Sequence, residues 1–194
     1  MKALKDFIIE TDLGKFISNK YSDDPIKSAI YDYVAGFTTS INTELRNNGD
    51  YEPVSKLLDS ALKSRKYSKN SPIEVYRTVD WSYMNNMYGI TPDNLQDKIG
   101  STITNKGYMS TSCELISPWA KYWSDDELIL HITSKKPYPH IIVNDIFNSF
   151  EIDCADQNEY LLPRNTKLKL ISFSIVKGKR YGSNGNYVIE CEIV

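Results

Sequence analysis

The hydrophobic periodicity of this chain changes once, near Ser71, and that change limits the fold more than any other feature. Before it, apolar residues recur at helical spacing, as over 26–37, directly after the capping run SDDP at 22–25. After it, short segments such as IEVYRTV at 73–79 alternate apolar and polar residues, which is the period of a strand. A block of helices followed by a block of strands is typical of an α+β fold and not of repeated β-α-β units.

The chain has 194 residues, a length that favours one domain with a substantial core. We expect a single unit over 1–194, with a helical part over 1–66 and a strand-rich core over 71–194. Between them, Lys63 to Asn70 is basic and polar, which predicts an exposed linker.

Composition excludes several classes of function. The net charge of −2 and the pI of about 5.7 give no overall basic field for nucleic acid or membrane. Three cysteines without a CxxC pair argue for a reducing compartment, and two histidines predict no zinc site. Because charges interrupt the first 16 residues, they predict neither a signal peptide nor a membrane span. We therefore expect a cytoplasmic protein, with delivery into a host cell as a further possibility.

Gln157 and Glu159 stand one residue apart in the segment ADQNEYLLP. If this segment is a strand, both side chains point to one wall, and an amide lies beside a carboxylate. On spacing alone, an ordinary wet strand face is the commoner explanation.

Other polar residues indicate a functional site only when they are considered together. Arg77 lies among β-branched neighbours in a predicted strand, where it is either exposed at an edge or holds a ligand. The hydroxyl residues of YMSTS at 108–112 can orient neighbouring side chains if their strand faces a pocket. Asn42 and Arg46 share a helix face, either as ordinary exposed residues or, for the arginine, as a phosphate ligand.

In chain order, the arginine of VYR, the segment YMSTS and the segment QNEYLLP resemble the mono-ADP-ribosyltransferase toxin superfamily. The resemblance is to the branch with an Arg, a Ser-Thr-Ser and a Gln-x-Glu or Glu-x-Glu, and it covers roughly residues 30–194. The Gln-x-Glu form is similar to the clostridial Rho-modifying exoenzymes and to the pierisin-like and phage-encoded enzymes. The resemblance implies an α+β fold with N-terminal helices packed on two antiparallel or mixed sheets, which form a sandwich with an NAD cleft.

The resemblance also implies a role for each matching residue, with NAD as co-substrate and no metal. Glu159 would be the catalytic carboxylate, held in place by Ser110, and Gln157 would meet the acceptor. Arg77 would bind the NAD phosphates, and Thr78 would offer backbone groups to the nicotinamide amide. The further NAD contacts or pocket supports implied are Asn42, Arg46, Thr111 and Ser112.

Two departures leave the acceptor open. The Rho-modifying members carry an aromatic residue three positions before the Gln, where this chain has Cys154, with Phe150 further back. They also carry an Arg after the Ser-Thr-Ser, where this chain has KYWSDDE. Tyr122 or Trp123 would stack on the nicotinamide.

The leading hypothesis is transfer of ADP-ribose to a macromolecule by an intracellular toxin or effector, either phage-borne or of a toxin–antitoxin pair. Because Gln157 is neutral, it favours an amide or an exocyclic amine as acceptor, in a protein Asn-type side chain or in a nucleobase of RNA or DNA. An antitoxin or inhibitor protein is a further expected partner, and no membrane partner is expected. The alternatives are an NAD glycohydrolase that uses water, and an inactive NAD-binding or partner-binding module.

Overall fold

The computed structural model describes residues 8–10, 16–18, 20–49, 53–115, 127–148, 151, 158–176 and 186–194. Its α-helices are α1 (Pro25–Asp32), α2 (Thr38–Asn48), α3 (Val54–Lys63), α4 (Trp81–Tyr88) and α5 (Leu95–Lys98). A π-helical turn (Tyr33–Phe37) joins α1 to α2, and a 3-10 turn covers Val143–Asp145. The strands are β1 (Ile8–Glu10), β2 (Phe16–Ser18), β3 (Lys69–Ser71), β4 (Glu74–Asp80), β5 (Thr102–Asn105), β6 (Met109–Ser112), β7 (Glu127–Thr133), β8 (Tyr138–Ile142), β9 (Glu159–Leu162), β10 (Thr166–Val176) and β11 (Asn186–Ile193).

Among the described strands, β3 to β11 lie in one sheet of order β3-β8-β9-β6-β4-β7-β11-β10-β5. Within the described part, β4 and β6 share one pairing, Tyr76 with Ser112. The sheet therefore consists of two groups of strands, β3-β8-β9-β6 and β4-β7-β11-β10-β5, which are joined by this pairing. The second group is mixed, because β7 and β11 run parallel.

The two strand groups pack on each other across an apolar core. Val75 and Leu130 of one group contact this core together with Met109 and Leu162 of the other. The opposite face of β9 presents Leu161 to the helices. The order of layers is thus helices, first strand group, second strand group, and the predicted α+β sandwich is confirmed.

The helical layer begins where the sequence predicts it. The Asp24 side chain accepts a hydrogen bond from the Lys27 amide, and Pro25 occupies the first turn of α1. Residues 8–10 and 16–18 differ from the prediction, because they pair as antiparallel strands and are not helical. These segments are short and rich in isoleucine and phenylalanine, so strand pairing suits them better than a helix of their length.

The predicted linker also contains a short strand. Lys69–Ser71 pairs with β8 as an exposed edge strand of the sheet. None of the described helices has both the length and the apolar composition needed to cross a lipid bilayer.

Candidate active site

Glu159 is the first residue of β9, and its side chain is only 6 % exposed. It pairs with Ser112 of β6, so Glu159, Ser110 and Ser112 lie on one face of the first strand group. The Ser110 side chain forms a hydrogen bond with the Glu159 carboxyl group. The structure thus places the Ser110 side chain next to the Glu159 carboxyl group.

Burial raises the pKa of Glu159 to about 7, although the Ser110 hydrogen bond and the charge of Arg77 both act to lower it. The carboxyl group is therefore close to half ionised at neutral pH. A cation placed beside it would complete its ionisation, because opposite charge favours the carboxylate form.

Arg77 extends from β4 toward the neighbouring strand β6. Its Nη1 donates a hydrogen bond to the Ser110 carbonyl oxygen at 3.3 Å. Its guanidinium carbon lies 5.8 Å from the centroid of the Tyr83 ring. Arg46 of α2 approaches the same ring at 5.4 Å, so two cations from different layers meet there.

Neither arginine forms an ion pair with a carboxylate among the described residues. The buried Nε of Arg46 also has no hydrogen-bond acceptor among the described residues. A buried donor without a partner costs free energy, and an anionic ligand would remove that cost. The pair of arginines is thus suited to a diphosphate.

Asn42 is buried and not exposed as an ordinary polar helix residue would be. Its Nδ2 donates to the Tyr33 hydroxyl at 2.9 Å and to the Tyr108 carbonyl at 3.1 Å. A Cβ at Gly107 would overlap with Asn42 Oδ1, so glycine lets this side chain approach β6 closely. Asn42 thereby fixes α2 against the strand that carries Ser110.

Tyr33 is a site residue that sequence reasoning missed. Its hydroxyl is hydrogen-bonded to the Ser110 side chain and lies close enough to Glu159 for their charges to interact. Complete burial raises its pKa to about 12, so the hydroxyl stays neutral at physiological pH. The sequence shows Tyr33 only as one of the apolar residues at helical spacing, and nothing in the pattern marks its hydroxyl.

The remaining hydroxyl residues lie around the site in different ways. Thr111 is on the opposite face of β6 from Ser110, and its hydroxyl donates to the Tyr160 carbonyl at 2.8 Å. It therefore secures β6 to β9. Ser112 Oγ accepts from the Glu114 amide at 3.1 Å. Thr78 follows Arg77 on β4, beyond the single β4–β6 pairing at Tyr76.

The expected common wall for Gln157 and Glu159 stays a prediction, because Gln157 lies outside the described part of the chain. The strand begins at Glu159, and Asn158 has a φ of +49°, a left-handed conformation that asparagine tolerates better than most residues. Its Nδ2 donates to Glu114 Oε1 at 2.7 Å. Asn158 therefore lies directly before β9 and outside its strand alternation.

Several predicted site residues lie outside the described part of the chain: Gln157, Tyr122, Trp123, Cys154 and Phe150. Among the described residues, no group of three or more His, Cys, Asp or Glu side chains is arranged to hold a metal ion.

A model of the ADP-ribosyltransferase exoenzyme family matches residues 12–193, which is nearly the whole chain. The chain belongs to the ADP-ribosyltransferase exoenzyme family. Members of this family take NAD as co-substrate, so the exoenzyme is an NAD-dependent mono-ADP-ribosyltransferase of the toxin type, and its acceptor is a macromolecule. Toxins of this family are delivered into host cells.

Solved structures similar to the exoenzyme support the same fold. Plx2a, an ADP-ribosyltransferase toxin from Paenibacillus larvae, is 21% identical with a TM-score of 0.68, covering 91% of this chain and 92% of that one. C3larvin toxin, an ADP-ribosyltransferase from Paenibacillus larvae, is 25% identical with a TM-score of 0.61, covering 87% and 94%. C3stau2 from S. aureus, solved with NAD, is 22% identical with a TM-score of 0.67, covering 90% and 88%. A comparison with proteins of curated function found no match.

Proposed function

We propose that the exoenzyme, acting as a single catalytic domain, breaks the nicotinamide–ribose bond of NAD with Glu159 as the catalytic carboxylate. ADP-ribose then passes to an amide or an exocyclic amine of a macromolecule. The observation that carries this proposal is the buried Glu159 carboxyl group, held by Ser110 beside the cationic Arg77.

The chemistry of the bond explains why one carboxylate suffices. As nicotinamide leaves with the electrons of the glycosidic bond, the ribose becomes oxocarbenium-like, as in other glycosyl transfers. A preorganised carboxylate stabilises the growing positive charge and needs no reorganisation at that moment. Glu159 supplies this charge from a buried position, where water screens it little.

Two arginines are proposed to bind the diphosphate. Arg77 and Arg46 both approach the Tyr83 ring and lack a carboxylate partner among the described residues. Their guanidinium groups can each donate two parallel hydrogen bonds to phosphate oxygens.

The other residues of the site are proposed to act close to the sugar and the nicotinamide. Asn42 is proposed to serve NAD binding by holding α2, and with it Arg46, in place against β6. Thr78 would offer backbone groups on the strand edge next to Arg77. Ser110 and Ser112 lie on the Glu159 face, and Thr111 supports them through the Tyr160 carbonyl.

Gln157 is proposed to contact the acceptor. A neutral amide both donates and accepts hydrogen bonds, so it matches an Asn-type amide or a nucleobase amine better than a guanidinium. The proposed setting is the cytosol of a producing or a target cell. There, a bound antitoxin or inhibitor protein would control the activity.

Labelled NAD tests the function directly. The purified exoenzyme, incubated with cell lysate and adenylate-labelled NAD, should put label into macromolecules. Label released by protease identifies a protein acceptor, and label released by nuclease identifies RNA or DNA. Free ADP-ribose as the sole product would instead assign the exoenzyme as an NAD glycohydrolase, and intact NAD would overturn catalysis.

Gln157→Ala should lower transfer to the acceptor about tenfold or more, and it should change NAD hydrolysis without acceptor by less than about threefold. The reason is that the amide is assigned to the acceptor and not to NAD, and one lost hydrogen bond has roughly this effect. Both rates are measured on the same protein, with Gln96→Ala as the matched control, because Gln96 is an exposed glutamine on α5. Equal losses in both reactions would remove Gln157 from acceptor binding.

The rate of NAD cleavage should depend on pH through Glu159. Since burial raises the pKa of this group to about 7, kcat/KM should rise with pH up to about 7 and then level off. The kcat profile should lie at lower pH, because bound nicotinamide is cationic and favours the carboxylate. Steady-state rates between about pH 5 and 9 measure both profiles. A flat kcat/KM across this range would contradict the assignment.

A further inference from the structure

Tyr83 of α4 is the aromatic ring that both arginines of the site approach. The guanidinium carbon of Arg46 is 5.4 Å from the ring centroid, and that of Arg77 is 5.8 Å from it. Both distances fall within the range of cation–π contacts. Arg46 comes from the helical layer and Arg77 from the second strand group, so one ring contacts cations from two layers of the fold.

Hydrogen bonds fix Tyr83 at both ends, at its backbone amide and at its hydroxyl group. Asp80 ends β4 and caps α4, and its Oδ1 accepts a hydrogen bond from the Tyr83 amide at 2.5 Å. At the other end, the Tyr83 hydroxyl donates to Asn105 Oδ1 at 3.0 Å. Asn105 is itself buried and donates from Nδ2 to the Gly107 carbonyl at 2.5 Å. Strand β4, which carries Arg77, thus leads directly into α4, and α4 places Tyr83 near Arg77.

Two cations close to one ring repel each other, and among the described residues no carboxylate forms an ion pair with either of them. The negative face of the ring offsets part of this repulsion without neutralising either charge. A carboxylate in the same place would hold the arginines equally well, but it would compete with an anionic ligand. An aromatic ring therefore suits a site in which both guanidinium groups must stay available.

We propose that Tyr83 is a positioning residue that holds Arg46 and Arg77 at the separation at which both bind one dinucleotide diphosphate. The inference rests on the proposed function of the two arginines. It assigns to the ring face, and not to the hydroxyl, the part that affects NAD binding.

Two substitutions separate the ring from the hydroxyl. Tyr83→Leu removes the aromatic face, and Tyr83→Phe keeps it while removing the hydrogen bond to Asn105. Binding is measured by calorimetry with ADP, which carries a diphosphate, and with adenosine, which does not. Tyr83→Leu should weaken ADP binding about tenfold, the scale of two cation–π contacts near a surface, and should leave adenosine binding within about twofold. Tyr83→Phe should bind both within about twofold of the wild type.

Kinetics give a second readout. Tyr83→Leu should raise the KM for NAD about tenfold with kcat changed less than about threefold, because the diphosphate is remote from the bond that breaks. In an Arg46→Met background, the effect of Tyr83→Leu on ADP binding should shrink, because one of the two contacts is already absent. If Tyr83→Leu does not fold, Tyr83→Met serves as the non-aromatic variant of similar length.

Each other outcome overturns the proposal. Unchanged ADP binding by the non-aromatic variant would show that the ring does not position the arginines. Equal losses for ADP and adenosine would assign the ring to the nucleoside, and equal losses for the Leu and Phe variants would assign the effect to the hydroxyl. Failure of the proposed function is visible separately, as wild-type protein that binds ADP but leaves NAD intact.

Discussion

Replacing Glu159 with glutamine should lower the rate of NAD cleavage by at least about 100-fold, the scale of losing one preorganised electrostatic group in an active site. Glutamine has nearly the same shape and can still accept the hydrogen bond from Ser110. The substitution thus removes the negative charge and little else. Single-turnover cleavage with saturating NAD measures the effect without a contribution from product release.

The same variant carries its own control for folding. The pKa of Glu159 is raised from 4.5 to about 7, so the folded protein binds its proton more tightly than the unfolded chain does. The stability that protonated Glu159 contributes is therefore fully present below about pH 4.5 and is lost as pH rises through about 7. The free energy of unfolding falls by about 3 kcal/mol at most over this range. The glutamine variant should lack this loss and should melt no lower than the wild type above pH 7. A well-folded variant with near-normal turnover would remove Glu159 from catalysis.

Arg77→Lys should lower kcat/KM for NAD about 100-fold. The reason is that it removes the pair of charge-assisted hydrogen bonds proposed between Arg77 and the NAD diphosphate, which is worth about 3 kcal/mol. Arginine donates to the Ser110 carbonyl from Nη1 while its other N–H groups stay available to a ligand. Lysine keeps the positive charge, but it lacks the planar fork and cannot make both contacts in the same geometry. The loss should appear mainly in KM, since the diphosphate contact exists before the bond breaks.

Arg65→Lys is the matched control for this prediction. Arg65 is exposed in the turn after α3, so the same change of side chain there should leave kcat/KM within about twofold of the wild type. Steady-state kinetics of both variants against NAD give the comparison. Similar losses in the two variants, or none at Arg77, would contradict the assigned role.

Much of this fold is predictable from local pattern. The cap at Asp24, the apolar face of α3 and the alternation in β4 each report a preference that the tertiary structure keeps. The motif order also predicts that Arg77, Ser110 and Glu159 belong together, and the structure brings these three residues close to one another.

Other parts of the site could not be predicted, because they depend on contacts between distant segments. Tyr33 and Tyr83 look like ordinary core aromatics in sequence, and only packing brings the first to Ser110 and the second to two arginines. The start of β9 at Glu159 depends on the left-handed Asn158, which alternation does not reveal. The helical spacing does not predict the short α4, because its apolar residues follow directly on a strand.

The single pairing between Tyr76 and Ser112 has a consequence for how the molecule responds to its co-substrate. Arg77 belongs to one half of the sheet, whereas Glu159 and Ser110 belong to the other. A dinucleotide bound by groups from both halves would connect them at a second place, in addition to the pairing of Tyr76 with Ser112. If one dinucleotide binds to both halves, its affinity depends on the distance between them, so a change that moves Arg77 away from Glu159 should weaken NAD binding.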